Sequence, residues 1–193
     1  MEEDGPVVDD IKVRADLTIS ATGVKPNSEL AKEAGLELWW DNVKVDQQGR
    51  TSDPRIFAIG DVSNCYDPIT KKMDYFGLGM IATIMAYNSI NAIKGSKAAL
   101  KTPRYQKDVF FKDIYVKSIG FTSPEGEKAG FKPERKKIEG KEEIAYLVYD
   151  EPTGRVIGYS AISKWDSGYK DLNILRAILL GKKASDVLEF IQG

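Results

Sequence analysis

The sequence predicts a two-part fold: an α/β segment over residues 1–98, then an α+β unit with an antiparallel sheet over residues 102–193. Three observations predict it. In the first part a short apolar run stops at glycine, as buried strands do, and a long apolar stretch of helical length follows at 78–93. The segment 94–104 is basic and contains alanine and proline, the composition of a connection. Beyond it, β-rich runs are joined by turn-rich segments such as DEPTG at 150–154, which is hairpin chemistry.

The elements follow in order. Residues 1–12 are polar, with a turn at Gly5-Pro6. DLTISA at 16–21 is a β-type run, broken at Thr22-Gly23 and turned further at Pro26-Asn27. Ser28 is an N-cap for a short helix through Ala34, with Gly35 in the stop position. Val43 and Val45 suggest a small strand before a turn at 47–49, and IFAI at 56–59 reads as a buried strand ending in Gly60-Asp61. Residues 63–74 read as a polar loop with a turn at Asp67-Pro68, and Gly95 ends the long helix. In the second part, strands are expected at 109–121, 144–149 and 155–162. Ser123-Pro124-Glu125 supplies an N-cap, an N1 proline and a first-turn acid for a short helix that Gly130 ends. Residues 172–180 repeat apolar side chains at helical spacing, and Ser185 caps a last helix through Ile191.

Composition narrows the function. With 42% hydrophobic and 30% charged residues, the chain can bury a core and solvate its surface. A net charge of -1 gives no electrostatic ground for a nucleic-acid partner. The lone cysteine, Cys65, cannot form an internal disulfide, so a reducing, cytoplasmic setting is expected. The chain has no histidine, which excludes Ser-His-Asp and Cys-His catalysis and His-based zinc sites within it, and no metal site is expected. No apolar run approaches the ~20 residues of a membrane span, and the acidic start carries no signal-peptide pattern.

Three features carry chemical information: ATGVKPN at 21–27, TSDPRIFAIGD at 51–61, and the long helix after them. A strand ending in Gly-Asp puts a carboxylate at the sheet's C-terminal edge, where open α/β sheets bind ligands. Gly60 lets the backbone approach a bulky ligand, and the Asp61 carboxylate can accept hydrogen bonds from hydroxyls. An isolated Gly-Asp is an ordinary turn; the spacing of the features together is what distinguishes this one. GLGMIA at 77–82 fits G-x-G-x-x-A, but it lacks a convincing preceding strand, and Ala98 and Ala99 stand where an acid would be needed about twenty residues on.

In order and spacing, these segments resemble the pyridine nucleotide-disulfide oxidoreductase superfamily, well over about 16–95 and more loosely beyond. TSDPRIFAIGD is similar to its second flavin motif, and ATGVKPN to the segment linking its NAD domain back to its FAD domain. The resemblance implies a partial FAD-binding segment followed by an interface (dimerisation) domain. It implies that Asp61 binds the FAD ribityl chain, and that the helix N-terminus at Gly79, Met80 and Ile81 faces the flavin pyrimidine. Gly60, Ala21 and Gly23 complete the implied cofactor-binding set. FAD is the implied cofactor, NAD(P)H the substrate of the complete enzyme, and a homodimer the expected assembly. The absence of histidine disfavours the glutathione- and lipoamide-reductase branch. CYDPITKK at 65–72 is similar to the loop of the NADH oxidase and CoA-disulfide reductase branch.

The family's N-terminal fingerprint, redox cysteine and NAD(P)H fingerprint are not in this sequence, so the FAD/NAD(P) domains carrying them are expected to be missing N-terminal domains and the chain alone inactive. The alternatives are a non-catalytic dimerisation or partner-binding module, or one subunit of a split flavoenzyme. No catalytic residue is assigned: nothing nearby activates Cys65. The tyrosines are read as core and interface fillers, and Trp39-Trp40 as a cover for the short helix or a face for a partner.

Overall fold

The structure is a computed structural model and describes residues 7–8, 10–101, 103–110, 113–166 and 168–192. The expected turn at Gly5-Pro6 lies outside the described residues. A two-residue ladder joins β1 (Val7–Val8) and β2 (Ile11–Lys12). Residues 13–27 then run as exposed chain without helix or strand. The strand expected at 16–21 is therefore absent: among the described residues nothing pairs with it, and Leu17 and Ile19 are exposed. A β-type sequence without a neighbouring strand has no ladder to join.

Helix α1 (Glu29–Glu33) begins after Ser28, whose hydroxyl makes no capping bond, and ends at Gly35. Strands β3 (Leu38–Trp39) and β4 (Asn42–Val43) form a hairpin whose loop holds Trp40 at φ +57°. Trp40 is exposed and stacks on Trp39 with centroids 5.4 Å apart. The 56–59 run is not the buried strand expected. It touches a neighbour only through an Arg50–Phe57 bridge, and Ile56 and Ile59 stand about 40% exposed. The 63–74 loop is instead a hairpin of β5 (Cys65–Asp67) and β6 (Lys72–Asp74). Its turn is built by Asp67, whose buried carboxylate accepts from the amides of Ile69 and Thr70 and the Thr70 hydroxyl. Helix α2 (Gly79–Ile93) matches the expected long helix. Val43, Val45, Cys65, Ile81 and Met85 form the buried cluster that holds these pieces together.

The single strand expected at 109–121 is two, β7 (Tyr105–Phe110) and β8 (Ile114–Gly120). Helix α3 (Ser123–Lys128) is capped one residue earlier than expected, by a reciprocal Thr122–Glu125 capping box. Strand β9 (Pro133–Glu139) was not foreseen: it is a charged edge strand with one buried apolar residue, Ile138. Strands β10 (Glu143–Asp150) and β11 (Val156–Ser163) form the expected hairpin. The sheet is antiparallel throughout, in the order β7-β8-β11-β10-β9. Helices α4 (Gly168–Leu179) and α5 (Ala184–Gln192) pack against it through Ile174, Ile178 and Val187. Ser185 lies within the first turn of α5 rather than capping it.

The tyrosines are satisfied inside this layer. Tyr159 is fully buried and donates to Glu143, which also pairs with Lys170. Tyr105 donates to Asp171, itself paired with buried Lys117. Burial, followed by these carboxylates, pushes both phenols well above their ordinary range.

The two parts interlock. Ile69, at the tip of the β5–β6 hairpin, is buried in the core of the second part, and Arg155 at the start of β11 donates to the carbonyls of Pro68 and Ile69. Arg104 lies between the Phe76 and Phe121 rings, 4.8 and 4.7 Å from their centroids, and pairs with Glu125. Replacing Arg104 with Ala is expected to cost about 1–3 kcal/mol, mainly through the two ring contacts. An unchanged midpoint in urea would show that this sandwich does not join the two parts.

Candidate functional site

Gly60 sits at φ +75°, where a side chain would be strained, and a Cβ there would come within 3.5 Å of the Ala82 methyl on α2. The chain turns through a short 3-10 segment, Gly60–Val62, closed by the Ser63 amide and hydroxyl on the Gly60 carbonyl. Asn64 then holds the segment to the first core by accepting from the Val45 amide at 2.8 Å. The result is that Asp61 projects outward. It is exposed, and among the described residues it makes no hydrogen bond or ion pair.

Asp61 faces the entry to α2. A Cβ on Gly77 would lie 3.6 Å from Asp61 Oδ2 and 3.2 Å from the Tyr75 hydroxyl, so this glycine keeps the space beside the carboxylate open. The Tyr75 hydroxyl is buried without a partner, and its acidity is weakened by burial first and by Asp61 second. Helix α2 starts at Gly79 after Leu78, with no side-chain cap and no acid in its first turn. The first bond closing the helix is from the Ala82 amide to the Leu78 carbonyl, so the amides of Gly79, Met80 and Ile81 precede the ladder. Gly79 and Met80 are exposed and Ile81 is buried. A carboxylate acceptor and a free helix N-terminus thus share one edge, which suits a ligand with hydroxyls and a polar, electron-withdrawing ring.

The structure brings Gly60, Asp61, Gly79, Met80 and Ile81 together. It does not bring Ala21 and Gly23 to them: both lie in the exposed 13–27 run, with Gly23 at φ +90° in open space. Asp61 also does not end a strand, as expected; it follows an unpaired extended run. Tyr75 and Gly77 were missed; the signal available was the Gly-rich stretch set aside as a false dinucleotide fingerprint.

Upstream, Thr51 and Asp53 are structural. The Thr51 hydroxyl contacts the Asp53 and Ile56 carbonyls, and the Arg55 guanidinium grips Asp53 and holds its carboxyl down at about 2. Cys65 is buried, and desolvation pushes its thiol up to about 12. A thiol reagent at pH 8 is expected to leave Cys65 untouched until denaturant is added. Rapid labelling of the folded chain would contradict this burial. Among the described residues no cluster of three His, Cys, Asp or Glu could hold a metal, and no helix is long and apolar enough to cross a membrane.

Residues 2–85 match the family model described as pyridine nucleotide-disulphide oxidoreductase. The chain is 28% identical over 171 residues to a CoA-dependent NAD(P)H sulfur oxidoreductase of Pyrococcus furiosus, covering 81% of this chain and 38% of that protein. A crystal structure of an FAD-dependent pyridine nucleotide-disulphide oxidoreductase from Desulfovibrio vulgaris superposes with a TM-score of 0.81 at 28% identity, over 92% of this chain and 45% of that one. The fold also matches a water-forming NADH oxidase of Lactobacillus brevis, solved with NADH, at a TM-score of 0.82 and 23% identity over 92% of this chain and 42% of that one. The chain therefore spans well under half the length of the relatives it matches. With the flavin-motif residues at 51–61 and most of the chain aligned, this is a part-length relative of the pyridine nucleotide-disulphide oxidoreductases.

Proposed function

We propose that this chain supplies the flavin-facing edge and the subunit interface of an FAD-dependent NAD(P)H oxidoreductase of the NADH oxidase or CoA-dependent sulfur reductase type. The observation that carries the proposal is Asp61: exposed, unpaired among the described residues, and beside the uncapped start of α2. These residues fit FAD. The Gly60 backbone and the Gly77 gap leave room, Asp61 accepts from ribityl hydroxyls, and the amides of Gly79 and Met80 donate toward the pyrimidine edge. The positive end of α2 favours negative charge at that edge. FAD itself supplies the electron-transfer chemistry, with NAD(P)H as donor.

Residues 1–98 belong, in this reading, to the cofactor-binding region and 102–193 to a dimerisation domain. The exposed apolar side chains of Ile56, Ile59, Tyr87, Ile90 and Ile93 are the surface for the N-terminal FAD/NAD(P) domains. The homodimer forms across the sheet face opposite α4 and α5, where Ile144 and Ile162 pair across strands and stand 50% and 57% exposed. The lone free cysteine suits a cytoplasmic setting.

Gel filtration with flavin absorbance tests the proposal. The 193-residue chain is expected to lose FAD, because the pyrophosphate cradle is elsewhere, whereas the chain joined to FAD/NAD(P) domains keeps one FAD per protomer. Loss by both would contradict the proposal. In light scattering, Ile144→Glu with Ile162→Glu is expected to halve the mass of a dimer; an unchanged dimer would place the interface elsewhere.

A further inference from the structure

Beyond the flavin edge, the tip of the β5–β6 hairpin forms one wall of a second cleft, of about 370 Å³. Its charged lining is entirely cationic: Lys71, Lys101 and Arg155, with the Tyr66 ring and the end of α4 at Gly181 completing it. Among the described residues no carboxylate pairs with any of the three. The hairpin tip's own acid, Asp67, is buried and occupied by the turn it builds. Arg155 reaches only two backbone carbonyls, at 3.3 and 3.4 Å, long for charged donors, and its Nε is buried without an acceptor. Lys101 lies 5.1 Å from the centroid of Tyr66.

The backbone adds an independent sign. Lys71 stands at φ +61°, where this hairpin would accept glycine at less cost. Strain at a non-glycine residue that also presents a cation to a cleft points toward use of that cation. Three converging positive charges without a counter-charge raise the local potential and favour a polyanion over a monoanion. The volume exceeds a lone phosphate and lies in the range of small-ligand pockets.

We propose that this cleft binds a phosphate-bearing ligand, its phosphoryl oxygens seated between Lys71, Lys101 and Arg155 against Tyr66. The site is separate from the flavin edge: Asp61 lies toward the base of the same hairpin, and the lysines stand about 10 Å of strand away at its tip. The proposal does not depend on flavin binding.

Calorimetric titration of the full chain with inorganic pyrophosphate, ADP and adenosine tests it. Both anions are expected to bind saturably and more weakly at raised salt, and adenosine not at all. Lys101→Gln and Lys71→Gly are each expected to weaken binding about fivefold, the loss of one cation contact. Lys71→Gly should do so without lowering the melting temperature, because it relieves the positive φ. Asp61→Ala should leave both affinities unchanged. ADP binding tighter than pyrophosphate marks a nucleotide as the source of the phosphate; equal affinity marks a free phosphate compound. Absence of saturable binding by either anion, or unchanged affinity in both lysine variants, overturns the proposal.

Discussion

Alanine at Asp61 is expected to weaken FAD binding about ten- to a hundredfold in an enzyme that joins this chain to FAD/NAD(P) domains. The change removes a charged acceptor from a ribityl hydroxyl, worth about 1.5–3 kcal/mol. The melting temperature of the chain should barely move, because Asp61 is exposed and makes no hydrogen bond or ion pair among the described residues. Asn at this position keeps an acceptor and should recover part of the loss. A quenching titration of flavin fluorescence reads all three proteins. Equal affinities would remove Asp61 from the flavin site, and a large fall in melting temperature would make it a structural residue.

The second large effect is on stability. Alanine at Gly158 should destabilise the sheet by at least about 3 kcal/mol, with a fall of roughly 6–12 °C in melting temperature. Gly158 faces Gly120 across the β8–β11 ladder, where the chain leaves β8. The Phe121 amide bonds the Ile157 carbonyl at 2.9 Å, which draws the two backbones together. A Cβ on Gly158 would overlap the Phe121 carbonyl oxygen and lie 2.8 Å from its carbon, and backbone cannot step aside as a flexible side chain can. Thermal denaturation followed by circular dichroism checks this. A midpoint within about 2 °C of the parent would mean that the ladder relaxes at that point.

Much of the second part was legible because its signals are local. The turn chemistry of 150–154 predicts the β10–β11 hairpin, and alternation places Ala145, Leu147, Tyr159 and Ala161 in the core, where they are found buried. Strand β9 escaped because an edge strand needs no apolar alternation; Arg135, Lys136 and Lys137 face water, and Ile138 alone marks the core. In the first part the failures have one cause. DLTISA and IFAI have strand sequences, but a strand is completed by its neighbours, and among the described residues neither run has a partner strand. The β5–β6 hairpin failed for the opposite reason: its polar composition hid a turn that the Asp67 carboxylate organises from inside.

The candidate site was legible where spacing carried it. Gly60 and Asp61 emerge from the strand-like run before them, and the start of α2 from the length of the apolar stretch that follows; the structure sets them side by side. Tyr75 and Gly77 were not legible, because their role depends on how the chain re-enters the site after the β5–β6 hairpin. Ala21 and Gly23 were read by similarity alone, and the 13–27 run makes no hydrogen bond to the Asp61 turn among the described residues.

The most direct test of the central claim is a crystal structure of the complete enzyme with FAD bound. The account predicts an Asp61 carboxylate oxygen within about 3 Å of a ribityl hydroxyl, and the α2 amides at Gly79 and Met80 turned toward the flavin pyrimidine. FAD seated away from the Gly60–Val62 turn, with Asp61 in water or in a structural ion pair, would contradict it.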